Sequence, residues 1–233
     1  MSQILTLDAK PGPIPIDPTK AAVIVVDMQN DFGSKGGMFD RMGIPLDGFQ
    51  RAADTTARVL SCARKAGIKV VYLKMGFRPD LSDLGAPDSP NRVRHLACGV
   101  GQTITTPEGT EGRMLIRDTW GTEVVAELTP RPEDVVLYKH RYSGFYQTEL
   151  HVMLQRAGIS QLIFTGCTTS VCVESTLRDA YFRDYQPVLL TDCIDEPIGK
   201  GLPRSNHDAS VTLVELLFGW VASSEQFMKA LDS

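Results

Sequence analysis

Residues 21–27, AAVIVVD, constrain the fold more than any other stretch of the chain. Six apolar residues run without alternation, four of them are β-branched, and the run ends abruptly in a polar segment, MQNDF. A strand with one wet face alternates, whereas a parallel strand covered on both faces does not. Similar short runs recur as VVYL (70–73), VVLY (135–138), LIF (162–164), PVLL (187–190) and FGWVAS (218–223). Helical periods lie between them. Phe49, Ala52, Ala53, Thr56, Leu60 and Ala63 trace one helical face, with Gly67 as the stop. Leu150, Met153, Leu154 and Ala157 give a second helix, ended by Gly158. Val171, Ser175, Leu177, Arg178 and Tyr181 give a third, with Ser170 as N-cap. Ala209, Leu213, Leu216 and Leu217 share a face of a fourth, capped by Asn206, and SSEQFMKAL closes the chain. A short helix is expected over Trp120–Leu128. This alternation predicts an α/β fold: a doubly wound, mostly parallel six-stranded sheet with helices on both faces.

The 233 residues are 42% hydrophobic, enough for one large core, so residues 1–233 read as a single domain. No apolar run is long enough to cross a membrane, and MSQILTLDAK has neither region of a signal peptide, which predicts a cytoplasmic protein. A net charge of −4 argues against nucleic acid or an anionic membrane as partner. Residues 1–18, with PGPIPIDP at 11–18, are expected to run as an extended arm over the surface, where they could pack on a neighbouring subunit or simply tether the terminus. From residue 76 to 118 periodicity gives way to a long loop rich in Gly, Pro and Asp. It carries Arg78, Arg92, Arg94, Arg113 and Arg117 but no lysine, which suits carboxylate recognition, subunit contacts or mere solubility.

In a doubly wound sheet, ligands bind outside the carboxyl ends of the strands. Asp27, Lys139 and Cys172 fall at such ends on three different strands, and their convergence is the main functional signal. Cys172 is expected in the first turn of a helix, where backbone N–H groups bias a thiol towards thiolate. The plain alternatives are a buried structural cysteine and a structural Asp27–Lys139 ion pair. Together the three residues make a coherent nucleophilic site. Cys172 would attack a carbonyl carbon, backbone N–H groups of the turn would hold the oxyanion, and Asp27 would move the proton. No G-x-G-x-x-G, Walker or G-x-S-x-G sequence follows any strand, so no nucleotide cofactor is expected. His95, His140, His151 and His207 lack paired ligand spacing and read as surface or capping residues, so no metal is expected either. The five cysteines are odd in number and suit reduced thiols, although Cys167 and Cys172 could form a redox pair.

Three motifs carry a resemblance. AVIVVDMQNDF around Asp27, LYKHRYSGF around Lys139 and TGCTTSVCVESTLRDA around Cys172 resemble the isochorismatase-like cysteine hydrolases. The resemblance implies an Asp27–Lys139–Cys172 catalytic triad. It also implies a non-proline cis peptide between Cys167 and Thr168, and an oxyanion hole from the N–H groups of Thr168 and Cys172. RYSGF, VCVESTLRDA and FGWV are most similar to ureidoacrylate amidohydrolases, whereas GGMFDRMG and GFRPDLSDL look like biuret hydrolases. The chain departs from the former at Met75 and Phe77, where they carry Asn and Trp, and from the latter at Tyr142, where they carry lysine. MGFRPDLSD stands where nicotinamidases have a D-x-H-x-x-H metal site. By similarity, Phe32, Phe77, Asn91 and Tyr142 are expected to line the substrate pocket.

The expected function is therefore a cofactor-free cysteine amidohydrolase for a small ureido or carbamoyl compound, working through a thioester and releasing ammonia. A carboxylate on that substrate would be held by Arg78 or Arg92. The alternatives are a nicotinamidase-like amidase, an isochorismatase proper that cleaves a vinyl ether without a thiol, and a non-catalytic binding protein. A homo-oligomer, dimer or tetramer, is expected.

Overall fold

A computed structural model describes residues 4–199, 201, 203 and 205–232. In chain order its regular elements begin with strands β1 (Leu5–Leu7), β2 (Ile14–Ile16) and β3 (Ala21–Val26). Helices α1 (Asn30–Gly33), α2 (Met38–Arg41) and α3 (Asp47–Lys65) lead to β4 (Lys69–Met75), then to α4 (Pro90–Ala97), β5 (Thr103–Thr105) and β6 (Glu111–Arg113). After them come β7 (Val135–Lys139), α5 (Leu150–Arg156), β8 (Gln161–Cys167), α6 (Glu174–Tyr181), β9 (Gln186–Asp195), α7 (Asn206–Leu213), β10 (Trp220–Ala222) and α8 (Ser224–Leu231). Six of the strands form one parallel sheet in the order β10-β9-β8-β3-β4-β7.

β3 explains its own sequence. It lies between β8 and β4, and all six of its residues are buried. Ala21, Val23 and Val25 point into one core layer, with α3, α8 and the β1–β2 ribbon. Ala22, Ile24 and Val26 point into the other, with α5 and α6. Burying one such Val or Ile side chain stabilises the fold by about 2 kcal/mol, so both parities of the strand must be apolar. The last sheet strand to be reached outward, β7, is an edge, and Val136 there is 43% exposed; this strand is not buried on both faces as its sequence suggested. Helix α3 buries all six of the expected face residues, and Gly67 ends it in the left-handed conformation.

Several expectations change with the tertiary structure. The stretch 11–18 is extended, but Ile14 and Ile16 in β2 pair with β1 and are buried in the chain's own core, so it is not an arm free to reach a neighbour. The loop from 76 to 118 contains α4 and the β5–β6 hairpin. Trp120–Leu128 forms two separate 3-10 turns, Trp120–Thr122 and Ala126–Leu128, rather than one helix. Ser205, not Asn206, caps α7: its hydroxyl accepts from the Asp208 N–H, while Asn206 donates to the Ile198 carbonyl. Leu213, Leu216 and Leu217 face outward, because Ser210 and Val214 turn towards the sheet instead.

Chain order places the site. From β3 the chain builds outward through β4 to β7, then returns to lay β8 on the other side of β3. Connections therefore diverge between β3 and β8, which opens a crevice at their carboxyl ends.

Candidate active site

Asp27 leaves β3 in the left-handed region, with φ at 52°. Aspartate tolerates that conformation better than a β-branched residue would. Its N–H donates to the Leu73 carbonyl at 2.8 Å, and its carbonyl accepts from the Gln29 N–H at 2.9 Å. Gln29 is fully buried, and its amide clamps Met75, accepting from the N–H at 2.6 Å and donating to the carbonyl at 2.9 Å. The end of β3 is thus locked to the end of β4. Register pairs Met75 with Lys139 on β7, and the Lys139 side chain reaches across Met75 to the crevice. Its Nζ donates to Asp27 Oδ2 at 2.7 Å, with longer contacts to the Arg141 carbonyl at 3.4 Å and to Met75 Sδ at 3.6 Å.

Cys172 comes from the other wall. The Cys167–Thr168 peptide is cis. It is followed by a π-helical turn, Thr169–Val173, that leads into α6, so Cys172 sits in that turn rather than in the first turn of an α-helix. Ser170 is not its cap: the Ser170 N–H donates to the Glu196 carboxylate at 2.7 Å, and the Thr168 carbonyl accepts from Val171 and Val173. The buried face of α6 is Thr176, Leu177 and Ala180, with Tyr181 turned outward. Thr176 donates its hydroxyl hydrogen to the Cys172 carbonyl at 2.6 Å and accepts from the Gly144 N–H at 3.0 Å. One buried hydroxyl therefore ties the segment after β7 to the turn that bears Cys172. Gly144 leaves room there: a Cβ would lie 2.4 Å from Leu73 Cδ1, so the buried leucine would have to shift. Asp31, also fully buried, accepts from the N–H groups of Leu115 at 2.7 Å and Met38 at 3.2 Å, pinning the 76–118 segment and α2 beside the site. Sequence reasoning assigned no role to Gln29, Asp31 or Thr176. Gln29 and Asp31 lie in the polar segment after β3 and Thr176 among the charged residues of α6, so nothing local marked them as buried. Once buried, such groups are expected to be hydrogen-bonded, as these are.

Asp27 and Lys139 are 1% and 0% exposed, so this is a fully desolvated ion pair. Burial raises the Asp27 carboxyl above its ordinary range, with Lys139 and the Cys172 thiol opposing. Burial alone would lower Lys139, yet its attraction to Asp27 and Cys172 outweighs this and the ammonium is retained. The Cys172 thiol is pushed up, first by burial and then by the Asp27 carboxylate, and Lys139 only partly offsets this. Burial and the Asp27 carboxylate thus push against the thiolate that a helix terminus would favour. Asp27 Oδ1 is buried without a nitrogen or oxygen partner, on a carboxylate that the thiol adjoins. Such an oxygen is a proton acceptor held in reserve.

A cavity of about 450 Å³ opens onto Asp27 and Cys172. Phe32 and Tyr142, two of the four residues considered for the pocket, line it, and so does Thr168. Phe77 and Asn91 do not: Phe77 is fully buried behind His95, and Asn91 donates to the Leu84 carbonyl at 2.8 Å. Lys139 also stays behind the wall, with only its partner Asp27 reaching the cavity. Most of the loop arginines serve as staples. Arg92 donates to the Leu81 and Gly85 carbonyls, Arg113 to those of Gly101 and Pro79, and Arg117 to Gly76 and the Asp83 carboxylate. Arg78 is exposed and away from the cavity. Arg94 is the loop arginine that does line it, without an ion pair among the described residues. His95 is buried in the cavity wall, not on the surface. Cys167 donates to the Asp27 carbonyl at 3.4 Å and is a free thiol, so it is not disulfide-linked to Cys172. Among the described residues, no group of three or more His, Cys, Asp or Glu could hold a metal ion, and no helix is long and apolar enough to cross a membrane.

The isochorismatase domain model matches residues 21–226. A ureidoacrylate amidohydrolase of Methylorubrum extorquens is 41% identical over 229 residues, covering 98% of this chain and 90% of its own. One from Caulobacter vibrioides is 38% identical, covering 95% of each chain. Among solved structures, a cysteine hydrolase from Pseudomonas syringae pv. phaseolicola superposes with a TM-score of 0.78 at 29% identity, covering 100% of this chain and 99% of its own. An N-carbamoylsarcosine amidase from Thermoplasma acidophilum does so with a TM-score of 0.63 at 26% identity, covering 88% and 97%. A six-stranded parallel sheet, a family match over most of its length and relatives this similar from end to end lead to one assignment: the chain belongs to the isochorismatase family of hydrolases.

Proposed function

We propose that the protein is a cysteine amidohydrolase that cleaves a C–N bond of a small ureido or carbamoyl acid, with Asp27, Lys139 and Cys172 as its catalytic triad. The observation that carries this reading is a buried cysteine thiol and a buried, lysine-paired carboxylate that line one largely apolar cavity together. The ureidoacrylate amidohydrolases among its relatives, and the N-carbamoyl substrate in the name of a structural neighbour, support the substrate class.

In this mechanism Asp27 takes the Cys172 proton as sulfur attacks the carbonyl carbon, so thiolate forms only when it is consumed. The N–H groups of Thr168 and Cys172 hold the oxyanion. The proton then passes from Asp27 to the departing nitrogen, the C–N bond breaks, and an acyl group remains on sulfur. Water gives a proton to Asp27 as it attacks the thioester. Collapse releases the acid and returns the proton to sulfur. For a ureido substrate the carbamic acid formed decomposes, so ammonia appears whichever nitrogen leaves first. Lys139 keeps Asp27 ionised in a site that would otherwise neutralise it.

Ammonia release from a panel of N-carbamoyl amino acids, ureidoacrylate, biuret, nicotinamide and simple carboxamides tests the assignment. Ureido or carbamoyl acids are expected to be preferred, and a clear preference for nicotinamide or biuret would overturn it. The acid's carboxylate is assigned to Arg94, in place of Arg78 or Arg92, since among the described residues it is the arginine or lysine that lines the cavity. Arg94→Ala should raise KM for the acid about tenfold while sparing its uncharged amide. Arg78→Ala and Arg92→Ala should leave the acid-to-amide ratio unchanged. Equal KM changes for acid and amide in Arg94→Ala would remove the carboxylate from this position.

A further inference from the structure

Helix α4 brings Arg94, His95 and Cys98 to the cavity, and of these His95 is held most firmly. Its ring is buried, packs edge-on against Phe77 with centroids 5.1 Å apart, and lies tilted against Tyr142 at 5.7 Å. Nδ1 is 2.7 Å from the Asn91 carbonyl oxygen one helical turn back. A carbonyl oxygen only accepts, so Nδ1 carries the hydrogen of the neutral ring and Nε2 carries the lone pair. Nε2 makes no hydrogen bond to any described residue, while the ring itself borders the cavity. The surroundings keep it neutral. Burial disfavours the imidazolium most, the Asn91 carbonyl opposes this, and Lys139 and Arg141 on the β7 side reinforce it. Arg94 on its own helix adds a third cation, against the single carboxylate of Asp27, which Lys139 already neutralises. Among the described residues, the other titratable groups at the cavity, Tyr142, Cys98, Cys167 and Cys172, are a phenol and thiols.

A ureido group presents three N–H donors and one carbonyl acceptor. The N–H groups proposed for the oxyanion and the Arg94 guanidinium only donate, and Asp27 is committed to the proton of the thiol. The Tyr142 and Thr168 hydroxyls can donate or accept, whereas Nε2 of the neutral His95 ring can only accept. Buried N–H groups left unpaired on a bound substrate would weaken binding. We propose that His95 Nε2 accepts a hydrogen bond from an N–H of the bound ureido or carbamoyl group, making His95 a specificity-determining residue that requires an N–H at that place. This rests on the ureido reading given above and names the acceptor that such a substrate needs. It also carries a signature that packing alone does not: protonation turns the acceptor into a donor, so binding must weaken in acid.

The test measures KM and kcat for the best substrate from about pH 5 to about pH 8 in wild type, His95→Gln and His95→Phe. Wild-type KM is expected to rise as pH falls through and below the ordinary histidine range. In His95→Gln, whose side-chain carbonyl accepts at every pH, that rise should disappear, with KM at neutral pH within about threefold of wild type. His95→Phe keeps the ring packing but not the acceptor, and should raise KM about tenfold at all pH values, with a smaller change in kcat and unaltered alkylation of Cys172 by iodoacetamide. A wild-type KM in His95→Phe, or a low-pH rise that persists in His95→Gln, overturns the proposal. Should these variants not fold, the ¹⁵N resonance of His95 Nε2 in Cys172→Ala protein reads the same contact without turnover. It should move from its lone-pair position towards a hydrogen-bonded one on saturation with N-carbamoyl-β-alanine, and an unmoved resonance at saturation overturns the proposal. If the enzyme releases ammonia from simple amides but from no ureido compound, the ureido reading fails. The pH profile of KM for that amide then still decides the role of His95.

Discussion

Cys172→Ala is expected to lower kcat by a factor on the order of 10⁴ or more while leaving the fold in place. On the proposed mechanism the loss is large because the reaction runs through a bond to sulfur, and among the described residues Cys172 is the cavity thiol that adjoins the Asp27 carboxylate. Cys167 lines the same cavity, but its thiol donates to the Asp27 carbonyl and burial holds it well above the ordinary thiol range. The fold should survive, since the substitution removes one sulfur from a residue that is already at the edge of a void. Circular dichroism and thermal unfolding report the fold, and ammonia release reports the chemistry. A variant that turns over at the wild-type rate would rule out the covalent route. Asp27→Asn should be similarly inactive with Cys172 intact, because the amide cannot take the thiol proton. Intact-protein mass after incubation with substrate then shows whether any acyl group reaches sulfur without the base.

Lys139→Met is expected to cost about 3–5 kcal/mol of stability near neutral pH, a large share of what holds a folded domain together. Methionine fills much of the space of the lysine stem, so packing changes little. What it leaves behind is the Asp27 carboxylate, fully buried, with Oδ1 unpaired and Oδ2 deprived of its 2.7 Å partner. The sign of the pH dependence follows from the direction of the shift. Burial already raises Asp27 above its unfolded value, and removing Lys139 takes away the strongest opposing interaction, so the folded pKa rises further. A folded pKa above the unfolded one means that the folded state binds the proton more tightly. Stability of the variant should therefore increase as pH falls through the raised folded value towards the ordinary carboxylate range. Urea unfolding of wild type and variant should show a gap that is wide at about pH 8 and narrower at about pH 5. Asp27→Asn in the Lys139→Met background should recover part of the loss, as the buried charge is then gone. A pH-independent gap would mean that the destabilisation is a packing effect and that the ion pair contributes little.

The six sheet strands were legible as short apolar runs, most plainly where a strand covered on both faces must be apolar at every position, as β3 is. Their carboxyl ends then located Asp27, Lys139 and Cys172 before any distance was known, since chain polarity in a parallel sheet puts all such ends on one side. The helix α3 was equally plain, because a single period set its buried face. Local chemistry at turns was less secure. Ser170 and Asn206 are both acceptable caps by residue type, yet Glu196 claims the Ser170 N–H and Ser205 stands one residue ahead of Asn206.

What only the tertiary structure decided are properties that depend on neighbours distant in sequence. The environment of Cys172 is one: position in a helical turn favours thiolate, whereas burial next to Asp27, 145 residues earlier in the numbering, pushes the thiol pKa up. The lining of the cavity is another. Phe77 and Asn91 lie in the right segment but turn away from the cavity, and Arg92 spends its donors on loop carbonyls. His95 and Arg94 reach the site because α4 contributes to the cavity lining. Sequence determined which strands exist and where their ends meet, because period and polarity are local and repeat along the chain. Which side chains face the void, and which of them hold a proton there, depends on desolvation and on partners brought together only by packing.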